Sequence, residues 1–263
     1  HHYDVSNTFY EWVLGPSMAY TCAVFPKPDA TLEEAQEEKF DLVCRKLGLE
    51  RDTLIVFTSD NGPWLNYGDN AGSAGPLREG KGTCWEGGTR VTGIMKWPGK
   101  IPAGTTTDTM MMTIDLLPTI AHVIEANLPE HKIDGLNCWP IVSGVPDAKN
   151  PHDFYAFYYE QNQLQAISSG DGRWKLQLPH TYRSLPTDIP KATEGKPVNY
   201  KPVKIEQPEL YDIYGDLSES KNLAAQNPEE VARLQKHAET IRAELGDSLM
   251  KLPKGSGTRE AGK

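Results

Sequence analysis

Asp60 and Asn61 stand in the run LIVFTSDNGP, Leu54 to Pro63, two residues after a short apolar stretch. Both residues carry hard oxygen donors, and two such donors at the carboxyl end of a strand suit a calcium or magnesium ion. The energetics call for some partner, because an ionised carboxylate beside an apolar core costs roughly several kcal/mol unless water, a donor or a cation satisfies it. Burial of Leu54, Ile55, Val56 and Phe57 returns only about 1.5 to 3 kcal/mol each. An Asx-type turn in water is the competing reading of Asp60 to Pro63.

A second stretch, LREGKGTCWEGGTR from Leu77 to Arg90, places Lys81 between Gly80 and Gly82. Flanking glycines let the backbone come close to a ligand, and an ammonium there suits a sulfate or phosphate oxyanion. A solvated surface lysine is the plainer alternative. Gly75, Gly80 and Lys81 also fit a GxxxxGK phosphate loop, but Gly82 stands where a Ser or Thr would hold magnesium, and Pro76 interrupts the loop. Trp64, Tyr67 and Trp85 are candidate stacking partners for a sugar, or else packing anchors.

The elements that must position these groups follow from periodicity. Thr31 to Leu47 has a TxxE capping box at Thr31 and Glu34, then Leu32, Gln36, Phe40, Val43 and Leu47 at helical spacing. Leu54 to Phe57 reads as a buried strand, and helix followed by apolar strand is α/β grammar. From Asn61 to Gly104 the chain is glycine-rich and loop-like, with one strand expected over Val91 to Trp97. Asp115 to Asn127 reads as a helix with Asp115 as N-cap.

Beyond about residue 150 the pattern changes to short strands at Phe154 to Tyr159, Leu164 to Ser168 and Arg173 to Leu178, with a Gly170-Asp171-Gly172 hairpin turn. Pro179 to Pro208 is proline-rich and reads as a surface excursion. Asn227 and Pro228 open a final helix whose apolar stripe is Val231, Leu234, Ala238, Ile241 and Leu245.

Whole-chain properties set limits. A length of 263 residues with 38% hydrophobic content supports one large or two modest cores, and a net charge of -9 argues against a nucleic-acid partner. Cys22, Cys44, Cys84 and Cys138 form no CxxC or zinc-type cluster. No apolar run is long enough to span a bilayer. The chain opens on His1 and His2 without a start Met, which reads as a fragment or processed product and leaves the compartment open.

Five stretches, FTSDNGP at 57 to 63, GKGTCWEGGTRV at 80 to 91, WPGKI at 97 to 101, IDLLPTI at 114 to 120 and IDGLN at 133 to 137, together resemble the C-terminal half of a type I, arylsulfatase-like sulfatase. GRWKL at 172 to 176 and ELYDIYGDLSESKNLA at 209 to 224 extend the resemblance, although GDLSE stands where an acidic-proline turn is usual. The resemblance implies an alkaline-phosphatase-like α/β/α sandwich, here partial, with a smaller C-terminal antiparallel sheet and helix. It implies that Asp60 and Asn61 are ligands of calcium, with magnesium as the alternative, and that Lys81 is a catalytic and substrate-binding group on a sulfate ester. The family's nucleophile lies in a CxPSR-type motif, or a serine equivalent, upstream of the SDNGP strand, and no cysteine of this chain sits in such a motif. Little or no activity is therefore expected of the chain alone.

The first 48 residues, by contrast, resemble the start of a cyclopropane-fatty-acid synthase, an S-adenosylmethionine-dependent lipid methyltransferase. KLGL at 46 to 49 precedes a strand as in that family, but no glycine-rich LDxGxGxG cofactor loop follows. The change predicts a join at residues 46 to 49 and a hybrid of two incomplete enzymes. The expected division is a synthase-like segment over 1–48, a sulfatase-like core portion over 49–150, an antiparallel subdomain over 151–250 and a disordered tail over 251–263. An uncovered sheet edge is expected to favour pairing with another copy.

Overall fold

The computed structural model describes residues 24–46, 48, 52–186 and 196–251. Cys22 lies outside the described residues, as do Leu47, Leu49 and residues 252–263. The described chain is mixed α/β and divides into two compact units. One comprises residues up to Phe57 together with Gly93–Gly104, and the other comprises Thr58–Thr92 and Thr105 onward.

The first unit holds helix α1 (Leu32–Lys46) and the antiparallel pair β1 (Ile55–Phe57) and β2 (Ile94–Lys96). The capping box forms as expected: Glu34 N donates to Thr31 Oγ1 at 3.2 Å and Thr31 N to Glu34 Oε2 at 2.8 Å. Burial departs from expectation. Leu32, Phe40 and Val43 are exposed on α1, and Phe57 on β1 is 63% exposed, so β1 is not the fully buried strand its composition suggested. Among the described residues β1 pairs only with β2, and a two-stranded ribbon cannot enclose both of its own faces.

The second unit is built on a four-stranded antiparallel sheet in the order β3-β4-β5-β8: β3 (Phe154–Tyr159), β4 (Gln163–Ser169), β5 (Trp174–Gln177) and β8 (Glu209–Asp212). The hairpin between β4 and β5 turns where expected. Asp171 Oδ1 accepts from Ser169 Oγ and from Arg173 N, and Gly172 takes φ +77°. The final helix α4 (Pro228–Leu245) lays Leu234, Ala238, Ile241 and Leu245 onto Leu164, Ile167, Leu176, Leu178 and Leu210, which form the main core. Asn227 stands at its N-cap position, but its side chain donates backwards to Leu223 O at 3.0 Å and makes no cap bond.

Two further expectations need correction. Pro179 to Pro208 is not merely a surface excursion, since it contributes β6 (His180–Ser184) and β7 (Lys201–Ile205), an antiparallel ribbon that buries Tyr182 and Ile205. Pro202 is tolerated because β7 is an edge strand and needs no second ladder. Asp115 precedes α3 (Leu116–Val123) but does not cap it. Its buried carboxylate accepts from Met112 N at 2.9 Å and Leu136 N at 3.0 Å, and it meets His152 Nε2 at 2.6 Å. Burial would raise its pKa, but the hydrogen bonds from His152, Leu136 and Met112 outweigh burial and hold it below the ordinary value. Asp115 thereby clamps IDLLPTI to IDGLN, with Gly135 packed against Ile114 O.

Candidate functional site

Asp60 lies exposed in the loop that leaves β1. Its Oδ1 accepts from Asn61 N at 2.9 Å, Asn61 Nδ2 at 3.1 Å and Ser59 Oγ at 3.4 Å. Asn61 Nδ2 also reaches Gly62 O at 3.1 Å. The turn thus satisfies its own donors. Asp60 Oδ2 and Asn61 Oδ1 accept no hydrogen bond from the described residues, which leaves one oxygen on each of two consecutive residues open to a cation. They fit as two of the six to eight oxygen donors calcium takes, though not as a full set. Among the described residues no group of three His, Cys, Asp or Glu side chains forms a metal site.

Lys81 sits beside this turn because two backbone bonds join the loops. Gly62 N donates to Gly88 O at 3.0 Å, and Lys81 N donates to Pro63 O at 2.9 Å. The approach is close enough to require glycine: a Cβ on Gly62 would lie 1.8 Å from Gly87 O. The three residues singled out by sequence are therefore carried on one joined pair of loops. The Lys81 ammonium is half-buried 5.6 Å from the centre of the Trp64 ring, and no carboxylate of the described residues pairs with it.

The lysine loop is held from beneath by Trp85 and by Arg78, Lys175 and Glu219, which sequence reasoning missed. Trp85 is 0% exposed, edge-on to Tyr182 and Tyr211, with the Arg78 guanidinium 3.6 Å from its ring centre. It is an anchor and cannot stack on a sugar. Arg78 in turn donates to Glu219 O at 2.8 Å and to Tyr182 Oη at 3.2 Å. Next to Trp85, Glu86 opens the short helix α2 (Glu86–Thr89), and its Oε1 receives the fully buried Lys175 ammonium at 2.7 Å. Glu219 Oε2 accepts from Glu86 N at 2.7 Å, and its Oε1 stands 3.6 Å from Lys175 Nζ.

One ammonium thus answers two buried carboxylates. Burial would lower the Lys175 pKa, but Glu219 and Glu86 more than offset this and raise it. Burial likewise opposes ionisation of Glu86, yet the ammonium at contact distance holds its pKa down; for Glu219 burial wins and the pKa rises. The signal for Lys175 was present in GRWKL, but alternation along a strand gives no sign that a lysine points inward. Glu219 lies in the GDLSE turn, whose departure from the family pattern hides its role.

Neither described thiol is a nucleophile. Cys84 and Cys138 are buried, and burial pushes each up to about 12, so the thiolate is not formed near neutral pH.

Residues 40–126 match the family model described as Sulfatase, and residues 1–56 match that described as Mycolic acid cyclopropane synthetase. The two matches overlap over 40–56, which contains the expected join. The chain is 32% identical to human arylsulfatase A over 254 residues, 93% of this chain and 48% of that enzyme. It is 72% identical over 73 residues to a probable fatty acid methyltransferase of Mycobacterium tuberculosis, 27% of this chain and 17% of that protein. Among solved structures, a Bacteroides thetaiotaomicron protein from a study of glycosaminoglycan metabolism superimposes with a TM-score of 0.60 at 25% identity, covering 81% of this chain and 43% of its own. The chain therefore spans less than half the length of these relatives. Sulfatases use a metal ion. No helix among the described residues is long and apolar enough to cross a membrane.

Proposed function

We propose that residues 49–250 are the calcium- and sulfate-binding half of a sulfuric ester hydrolase, and that the half supplying the nucleophile is not carried by this chain. The observation behind this reading is the pair of backbone bonds that seats Lys81 beside the Asp60-Asn61 turn. The carboxylate of Asp60 and the amide oxygen of Asn61 would hold calcium, with magnesium as the alternative. The ion, when bound, supplies positive charge to the sulfate oxygens. Lys81 contacts a sulfate oxygen and offsets the negative charge that grows on the leaving oxygen as the S–O bond breaks. Without a nucleophile these groups bind the ester but do not cleave it.

The purified chain is expected to show no calcium-dependent hydrolysis of a chromogenic aryl sulfate above the uncatalysed rate. Robust turnover would overturn the assignment of the chain as a half-enzyme. We also propose the division at 48, 150 and 250 as the boundaries of the inherited parts. The methyltransferase alternative is favoured by the 72% identity and by the cyclopropane synthetase match over residues 1–56, but the cofactor loop that such an enzyme needs is absent from the sequence. A non-catalytic binder of oxyanions or sulfated glycans uses the same Lys81 surface and differs from the first reading only in lacking a missing half.

A further inference from the structure

Arg183 of β6 is the second cation at the lysine loop. Its Nη2 donates to Lys81 O at 2.5 Å, and its guanidinium packs so tightly on Gly82 that a Cβ there would lie 1.9 Å from Nη2. Gly82 takes φ +86°, so the backbone is shaped around this guanidinium as well as around the lysine. Arg183 also lies 4.7 Å from the centre of the Tyr200 ring, its buried Nε has no hydrogen-bond partner, and no carboxylate of the described residues pairs with it. Glu79 of the lysine loop is engaged by the neighbouring Ser184 Oγ at 2.6 Å. Trp64, 46% exposed and edge-on to Tyr67, completes an aromatic border with the half-buried Tyr200.

Two cations that pair with no carboxylate of the described residues, one on the lysine loop and one bonded to its backbone, in a chain of net charge -9, mark a place for an anion. One sulfate ester is already matched by Lys81. We propose that Arg183, bordered by Trp64 and Tyr200, binds a second anionic group, sulfate or carboxylate, on the same sugar ligand whose ester sulfate meets Lys81. The planar guanidinium suits such a group because it donates two parallel hydrogen bonds to sulfate or carboxylate oxygens. The exposed part of Trp64 offers the sugar ring an apolar surface. This inference rests on the Lys81 reading.

Calorimetry on the full chain with calcium present tests it, using glucosamine 6-sulfate, the corresponding 2-N,6-O-disulfate and a 6-sulfated disaccharide carrying a uronate. The di-anionic ligands are expected to bind about tenfold more tightly than the monosulfate, the worth of one charge-assisted contact. Arg183→Gln is expected to bring all three within about twofold, and Arg183→Lys to keep part of the preference because it keeps the charge and loses the fork. Thermal melts matching the parent show that either variant is folded. Equal binding of the three ligands by the parent, or an equal loss for all three in Arg183→Gln, overturns the Arg183 assignment and leaves Lys81 intact. Unchanged binding of the monosulfate by Lys81→Gln overturns the Lys81 reading itself. A preference for only one of the two di-anionic ligands supports the assignment and tells which group Arg183 accepts.

Discussion

Replacing Lys175 with methionine is expected to cost the folded state about 3 to 5 kcal/mol, the usual penalty for breaking a buried ion pair from one side. The size follows from what would be left behind. Glu86 and Glu219 are both buried, and among the described residues their only shared cation is the ammonium at 2.7 Å and 3.6 Å. Arg90 reaches Glu86 at 3.6 Å from a half-exposed position and cannot replace it. Against a typical total stability of about 5 to 15 kcal/mol, such a loss unfolds a measurable fraction of the molecules. Urea denaturation followed by circular dichroism measures it.

Two controls belong with that variant. Adding Glu86→Gln and Glu219→Gln to Lys175→Met is expected to recover part of the loss, because uncompensated charge and not lost volume is the cause. The pH response has a definite sign too. Lys175 has a raised pKa in the fold, so its contribution is complete below the ordinary 10.5 and is lost as pH climbs through the folded value. A cost below about 1 kcal/mol for Lys175→Met would mean that the network does not carry the lysine loop.

Gly62→Ala is expected to have the second largest effect. Its Cβ would lie 1.8 Å from Gly87 O and 2.8 Å from Gly87 C, both backbone atoms that no rotamer change can move aside. Gly87 itself is wedged against Glu79 O and Arg78 O, so it cannot retreat. Overpacking of this kind costs about 1 to 3 kcal/mol or more. The expected relief is separation of the two loops, with loss of the Gly62 N to Gly88 O and Lys81 N to Pro63 O bonds. Calcium affinity and sulfate affinity should then fall together while the β3-β4-β5-β8 core stays folded. Hydrogen exchange reports both, since the amides of Gly62 and Lys81 lose protection and those of β4 keep it. Retained protection at Lys81 would contradict the seating described here.

Much of this was legible in the sequence because the signals were local. The Thr31-Glu34 capping box, the Gly170-Asp171-Gly172 turn and the stripe from Leu234 to Leu245 each follow from a few neighbouring residues and a single period. The candidate loop residues Asp60, Asn61 and Lys81 were legible for a different reason, namely a charge and a glycine-hemmed cation at positions that composition alone does not justify. What stayed hidden depends on residues distant in sequence. For Trp85 sequence left open a stacking surface or a packing anchor, and only Tyr182 and Tyr211, distant in sequence, decide for the anchor by enclosing it. β6 and β7 were masked by prolines that an edge strand tolerates. Phe57 looked buried because its strand is apolar, but sequence period says nothing about whether a covering layer is present.

The same distinction applies to the join. The two family matches overlap between residues 40 and 56, where the motif KLGL can precede a strand in either family. Local grammar is satisfied on both sides there.

The most direct test of the central claim is the linkage between calcium and sulfate. Titrating calcium into the chain with and without inorganic sulfate, for the parent and for Lys81→Gln, measures whether the two ligands share one site. The expected result is that sulfate tightens calcium binding in the parent, that calcium tightens sulfate binding by the same factor, and that Lys81→Gln abolishes the mutual gain. Calcium affinity indifferent to sulfate and to Lys81 would contradict it.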